Sequence, residues 1–422
     1  MKCEKTVLKN GIRLLLVPVS GTRTVTVLVL FGTGSKYETR RVNGISHFLE
    51  HLFFKGTKKR PTTKILSEEL DSVGAMYNAF TGKEVTGYWV KVDATHLRLA
   101  LDVVSDMLLN PLFIKEEIER EKGVVIEEIN MYRDTPMEFV GDLFEELIYG
   151  DQPAGWAIAG TPDIVRNLTR DDILSYRGKQ YVGSNAVICI AGNITRAQVR
   201  PLVSKYFGPL PSGKPEGKSP VSEHQSDPRI KLFTKQTDQT HFVLGVRAFH
   251  REHKDRFALS LLTTILGGNM SSRLFISIRE RQGLAYYIRA SSELYTDSGY
   301  LSVHAGVKND SAEQAVRSII KECKSLREKA VGAKELSKAK EYIKGKTQIH
   351  LESSDAVASF WGEQEVVDRK TETVEEIMKA YSKVTVRDIK RVANIIFRND
   401  RLNLAIIGPI SKSGGLQKIL TF

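Results

Sequence analysis

The sequence predicts an α+β protein built from two domains of similar layout. Three observations carry that prediction. Apolar, strand-like runs occur in adjacent pairs with helical segments gathered between them, which favours antiparallel pairing over a wound parallel sheet. The same order of elements occurs twice. A stretch rich in Pro, Gly and Ser without apolar periodicity, GPLPSGKPEGKSPVSEHQSDP at 208–228, separates the two passes. With 422 residues the chain is also too long for one ordinary domain.

The first domain, 1–210, opens with GIRLLLVPV and TVTVLVLFGTG, both strand-like. A helix containing HFLEHLFFKG (47–56) follows, then a second helix, TKILSEELDSVG. AMYNAFTG and EVTGYWVKV read as two strands. Helices fill 94–109, 114–133 and 136–149, and the strand NAVICIAG precedes the last helix of this half. Residues 211–228 form the linker. The second domain, 229–422, repeats the order: strands IKLFTKQ and HFVLGVRAF, helices DRFALSLLTTILGG and SSRLFISIRERQG, then strands LAYYIRASSELY and GYLSVHAGV. Helices continue to about 396, and LNLAIIGPI closes as a strand.

Composition narrows the class. The chain is 41% hydrophobic and 27% charged, as expected of a soluble globular protein. No apolar run approaches the roughly 20 residues that span a bilayer, and the N-terminus lacks a secretory apolar stretch. Cys3, Cys189 and Cys323 are too far apart for a disulfide framework or a thiolate metal site. The expectation is a cytoplasmic protein with no membrane partner. Net charge is +12, and most of the excess lies in 211–422, with 35 basic against 25 acidic residues. KECKSLREKAVGAKELSKAKEYIKGK reads as the solvated faces of long helices. Aromatics are not interleaved with those charges, so no nucleic acid is expected as a partner. Residues 101–150 carry 13 acids and 4 bases, a balance that favours cationic ligands.

HFLEHLFFKG sets His47, Glu50 and His51 among Phe48, Leu49, Leu52, Phe53 and Phe54. Burying polar groups costs free energy unless they are satisfied. Either the three are paired core residues, or something holds them there. On a helix His47 and His51 share one face, close enough to share a cation. The pattern is H-x-x-E-H, the reverse of H-E-x-x-H. Neutral imidazole is a preferred zinc ligand, and a catalytic zinc needs a third protein ligand plus a water. Glu50 would not ligate but would take a proton from that water. The third ligand is sought in EREKGVVIEEINMYRD, where Glu121 and Glu128 lie two turns apart on one face around Val125. Glu127 points about 100° away. Glu128 is favoured as the ligand and Glu121 as an acid behind it that orients a His or the water, with Glu127 as the alternative ligand. The matching helix of the second half, Phe257–Leu266, holds no His and no acid, so one Zn2+ per chain is expected.

Taken together, these residues resemble the pitrilysin and mitochondrial processing peptidase family of zinc metallopeptidases, in its small two-domain, bacterial-like form. H-x-x-E-H stands with a Glu 77 residues beyond its last His. GAMYNAFTGKEVTGYW resembles the family's edge-strand segment, which places Asn78, Ala79 and Phe80 along a bound peptide. EKGVVIEEI resembles the segment of the third ligand, with Glu121 and Glu128 at its acidic positions. GGNMSSRLFISIRERQGLAYYI resembles the second-domain segment whose Arg and Tyr reach the active site, here Arg279 and Tyr286. The resemblance spans essentially the whole chain. It implies two homologous domains, each a mostly antiparallel sheet with helices packed on one face. It implies a zinc endopeptidase that cleaves unfolded peptides or presequence-like segments, bound as an extended strand in a closed chamber. It also implies a homodimer, or a heterodimer with a related subunit. The alternative is a non-catalytic peptide-binding or assembly subunit, but every motif position is kept here.

Overall fold

The structure, a computed structural model, describes residues 2–410 and 414–422. The first sheet holds β1 (Glu4–Val7), β2 (Arg13–Pro18), β3 (Thr24–Phe31), β4 (Met76–Thr81), β5 (Thr86–Asp93) and β6 (Ala186–Gly192), in the order β1-β2-β6-β3-β5-β4. The second holds β7 (Arg229–Thr234), β8 (Gln239–Arg247), β9 (Ala285–Leu294), β10 (Gly299–Lys308) and β11 (Leu402–Gly408), in the order β7-β11-β8-β10-β9. Each sheet has a single parallel pair, β2 with β6 and β7 with β11, and is otherwise antiparallel. The α+β class therefore stands, with mostly antiparallel sheets.

Helices α1 (Ile45–Phe53), α2 (Thr63–Asp71), α3 (Leu97–Leu109), α4 (Lys115–Asp134), α5 (Pro136–Tyr149), α6 (Pro162–Asn167), α7 (Arg170–Gln180) and α8 (Arg196–Phe207) belong to the first half of the chain. The second half supplies α9 (Arg256–Gly267), α10 (Ala312–Glu328), α11 (Ala333–His350), α12 (Ser354–Asp368), α13 (Val374–Lys383), α14 (Val386–Ile396) and α15 (Gly414–Ile419).

The chain folds as two compact units, and neither is one continuous stretch. The first comprises Met1–Asn130, Ala157–Ser219 and Thr347–Thr373; the second comprises Met131–Trp156, Pro220–Lys346 and Val374–Phe422. These units differ from a division at 211–228 in two helices. Helix α5, from the first half, belongs to the second unit, and α12, from the second half, belongs to the first.

The strands explain the exchange. Strands β2, β3 and β6 of the first sheet are near-continuous apolar runs, which is the signature of burial on both faces. Val25, Val27, Val29 and Phe31 of β3 share a core with Phe48 of α1, Leu101 of α3 and Val203 of α8. The alternate residues Leu28 and Leu30, with Cys189 of β6, lie under α12 on the opposite face. That approach needs Gly362 of α12, since a Cβ there would sit 2.8 Å from Leu30 Cδ1. Glu365 of α12 is fully buried; its carbonyl accepts from Arg13 Nη1 at 2.6 Å and its carboxylate meets Lys5 Nζ at 2.6 Å. In the second unit, Leu244, Val246, Leu404 and Ile406 face one core, while Val243, Ala405 and Ile407 pack with Val140, Phe144 and Ile148 of α5. Each sheet thus carries most of its helices on one face and one further helix on the other.

Candidate metal centre

Helix α1 forms because Phe48, Leu49, Leu52 and Phe53 are all driven into the first core. Its start is fixed by a residue outside the helix. The buried Glu38 carboxylate accepts the N–H groups of Gly44 at 2.7 Å and Ser46 at 2.8 Å, and the Asn43 amide at 2.9 Å. Burial raises its pKa although these hydrogen bonds oppose the rise. An acid is well placed against the positive end of the helix. Ser46 is held in turn by the Tyr176 hydroxyl at 2.7 Å, which also meets Thr33 at 2.9 Å.

Helix α4 presents Glu121, Val125 and Glu128 along one face, as its 3.6-residue period requires. Val125 and Glu121 are buried, Glu128 is half-buried and Glu127 is exposed. His47 Nε2 lies 3.6 Å from Glu128 Oε1, and His51 Nε2 lies 3.3 Å from Glu128 Oε2. The two imidazole centres are 4.7 Å apart. One donor atom from each of His47, His51 and Glu128 falls within 4.8 Å of the others, the single such group of His, Cys, Asp and Glu found among the described residues.

The groups behind the cluster aim it. His51 Nδ1 meets Glu121 Oε1 at 2.8 Å, and Glu121 Oε2 also meets Lys55 Nζ at 2.6 Å. A neutral His51 that donates Nδ1–H to Glu121 would turn its Nε2 lone pair toward His47 and Glu128, the form a bound cation requires. Hydrogen bonds from His47 and His51 hold the Glu128 carboxyl far below the usual carboxylate range. Burial would lower His51, but Glu121 and Glu128 outweigh it and lift the imidazole to about 9. Burial would raise Glu121, and its partners His51 and Lys55 bring it down instead. Two carboxylates and two imidazoles thus converge in one small volume. His47 Nδ1 is buried with no hydrogen-bond partner among the described residues. Two imidazoles and one carboxylate converging in this way fit the donor set of a catalytic zinc.

Glu50, half-buried on the same helix, is close enough to feel the charges of His47, His51 and Glu128, and it accepts from Thr81 Oγ1 at 2.5 Å. Burial raises its pKa, which makes the carboxylate a stronger base. Thr81 ends β4, the edge strand of the first sheet. On that strand Asn78 is exposed and its Oδ1 accepts the Ala79 N–H at 2.9 Å. Ala79 is buried with the core beneath α1, and Phe80 lies over Gly87, where a Cβ would come within 2.5 Å of the ring. Arg279 and Tyr286 belong to the second unit. Arg279 is exposed, its guanidinium 4.8 Å from the Phe275 ring and 5.9 Å from the Tyr286 ring, and Tyr286 is 76% exposed.

Glu38, Lys55 and Thr81 support the site and were not singled out from the sequence. Thr81 had a signal, since it lies two residues beyond Ala79 and so shares its face of the strand. Glu38 had none, because a loop brings it to the helix start.

Comparison with known proteins adds to this geometry. Residues 14–162 match the family profile described as Insulinase (Peptidase family M16), and residues 167–343 match the one described as Peptidase M16 inactive domain. A Bacillus subtilis protein named as an uncharacterized zinc protease, YmxG, is 37% identical over 402 residues, covering 95% of this chain and 97% of that protein. An uncharacterized zinc protease of Mycobacterium leprae is 34% identical over 420 residues, covering 99% and 94%. The crystal structure of a protease from Helicobacter pylori superposes with a TM-score of 0.91 at 25% identity, covering 97% of this chain and 99% of that one.

Proposed function

This chain belongs to peptidase family M16, and on that premise we propose that it is a zinc-dependent endopeptidase acting on unfolded peptides. The observation that carries the reading is the meeting of His47, His51 and Glu128 around one point, with Glu50 beside them. Those three residues would hold the ion, one per chain. Zinc bound there would polarise the scissile carbonyl and lower the pKa of a water molecule. Glu50 would serve as the base that takes a proton from that water and as the acid that returns it to the leaving amine. Glu121 holds His51 in the tautomer that leaves Nε2 free to ligate.

The substrate binds as an extended strand added to β4, the end of its sheet. Backbone hydrogen bonds then supply binding with little demand on sequence, and Asn78, Ala79 and Phe80 lie along that edge. Arg279 and Tyr286 are assigned as hydrogen-bond donors to the substrate carbonyl and the oxyanion that develops from it. The acid-rich 101–150 stretch supports basic, presequence-like peptides as substrates. The family resemblance supports pairing with a second copy or a related subunit to close a chamber, and the odd, scattered cysteines support a reducing, cytoplasmic setting.

Glu50→Gln tests the reading. The variant should keep full zinc content and lose about 100-fold or more of its peptide cleavage. His51→Ala should lose the metal, and a chelator should silence the wild type. Cleavage at the wild-type rate by Glu50→Gln would overturn the mechanism.

A further inference from the structure

Thr81 is the one side chain outside α1 that donates to Glu50, among the hydrogen bonds of the described residues. Its Oγ1 donates to Glu50 Oε2 at 2.5 Å. The hydroxyl comes from the last residue of β4, where Thr81 pairs with Thr86 across the hairpin.

That end of the hairpin is clamped. Gly82 N–H donates to Val85 O at 2.8 Å and closes the turn. The loop that precedes α1 grips it: Ser35 N–H donates to Gly82 O at 3.2 Å, and Lys36 N–H to Lys83 O at 2.9 Å. Lys36 Nζ meets Glu84 at 2.8 Å, with both side chains buried, and Thr86 Oγ1 donates to Thr33 O at 3.0 Å. Gly34 permits this approach, since a Cβ there would lie 2.2 Å from Gly82 O. Such a scaffold is far more than a hairpin turn needs. It fixes Thr81 against α1, and so fixes the direction of the Glu50 carboxylate.

We propose that Thr81 is the positioning residue for Glu50: anchored by the clamped hairpin, its hydroxyl holds the carboxylate in the direction that a base needs. The inference rests on the reading of Glu50 as general base.

The test measures kcat and KM for an unstructured peptide, with zinc content and thermal midpoint, for Thr81→Val, Thr81→Ser and Glu50→Gln. Thr81→Val should keep its zinc and its midpoint and lose about 10- to 100-fold in kcat, the cost of a misplaced catalytic group, with KM within about twofold. Thr81→Ser, which restores the hydroxyl, should recover most of kcat. Should Thr81→Val fold poorly, Thr81→Ala removes the same donor without adding bulk and must show the same split. Unchanged kcat in Thr81→Val, a rise in KM alone, or equal losses in the Val and Ser variants would each overturn the proposal. Wild-type cleavage by Glu50→Gln would instead remove the base itself, a separate failure read from a separate variant.

Discussion

Glu127 and Glu128 are neighbours of identical chemistry, yet only Glu128 faces the imidazoles; Glu127 is turned to solvent. One residue on a helix is a rotation of about 100°, enough to separate a ligand from a surface acid. Glu128→Gln should therefore weaken zinc binding by about 100-fold or more, whereas Glu127→Gln should leave it unchanged. Glu121→Gln should cost about 10- to 100-fold, the usual penalty for losing the partner that orients a ligating imidazole. Competition with a chromogenic zinc chelator reads all three, and equal losses at 127 and 128 would refute the assignment. Much of this was legible in the sequence, because helical spacing alone places 47 with 51 and 121 with 128. Glu38 was not, since nothing local marks an acid that folds back from a loop onto Gly44 and Ser46.

At the scale of elements, the strands were the clearest feature of the sequence and their coverage the least clear. LLLV in β2 and VICIA in β6 announce burial on both faces, but they do not say which helix provides the second cover. β1 was missed for the opposite reason: EKTV alternates between half-buried and exposed positions at the sheet's edge and carries little apolar signal. The cover is α12 in one unit and α5 in the other, each eased by a glycine. A Cβ on Gly362 would crowd Leu30, and one on Gly245 would reach within 2.4 Å of the Phe144 ring of α5. Gly362→Val should overpack the α12 contact and destabilise the protein by about 1–3 kcal/mol. A lowered urea midpoint is the expected result, and an unchanged one would mean that α12 moves to accommodate the side chain.

For the whole molecule, the exchange makes each half of the chain incomplete. Residues 1–219 contain all six strands of the first sheet but not α12. Without it Leu15, Val17, Leu28, Leu30 and Cys189, all buried in the intact chain, would face water. Exposing several such side chains costs on the order of 10 kcal/mol, which equals the whole stability of an ordinary domain. The fragment should therefore aggregate or bind a hydrophobic dye when made alone, and should become soluble when 220–422 is made alongside it. Size-exclusion chromatography decides the matter, and a monodisperse, dye-silent 1–219 fragment would show that α12 is dispensable. The twofold repetition of elements could be read from the sequence because each half repeats its own local patterns. The exchange could not, because it depends on contacts between residues far apart in the chain, such as Arg13 with Glu365 and Phe144 with Gly245.

The same exchange imposes an order on biosynthesis. The ribosome releases the last strand of the first sheet, ending at Gly192, well before it reaches Asp368 at the end of α12. At roughly 5–20 residues per second, the gap lasts on the order of 10–30 s. Throughout that interval the nascent first sheet displays an apolar face that nothing in the emerged chain can cover. The unit begun first is thus completed only late in synthesis, once Thr347–Thr373 has emerged, and it needs a holding chaperone beside the ribosome until then.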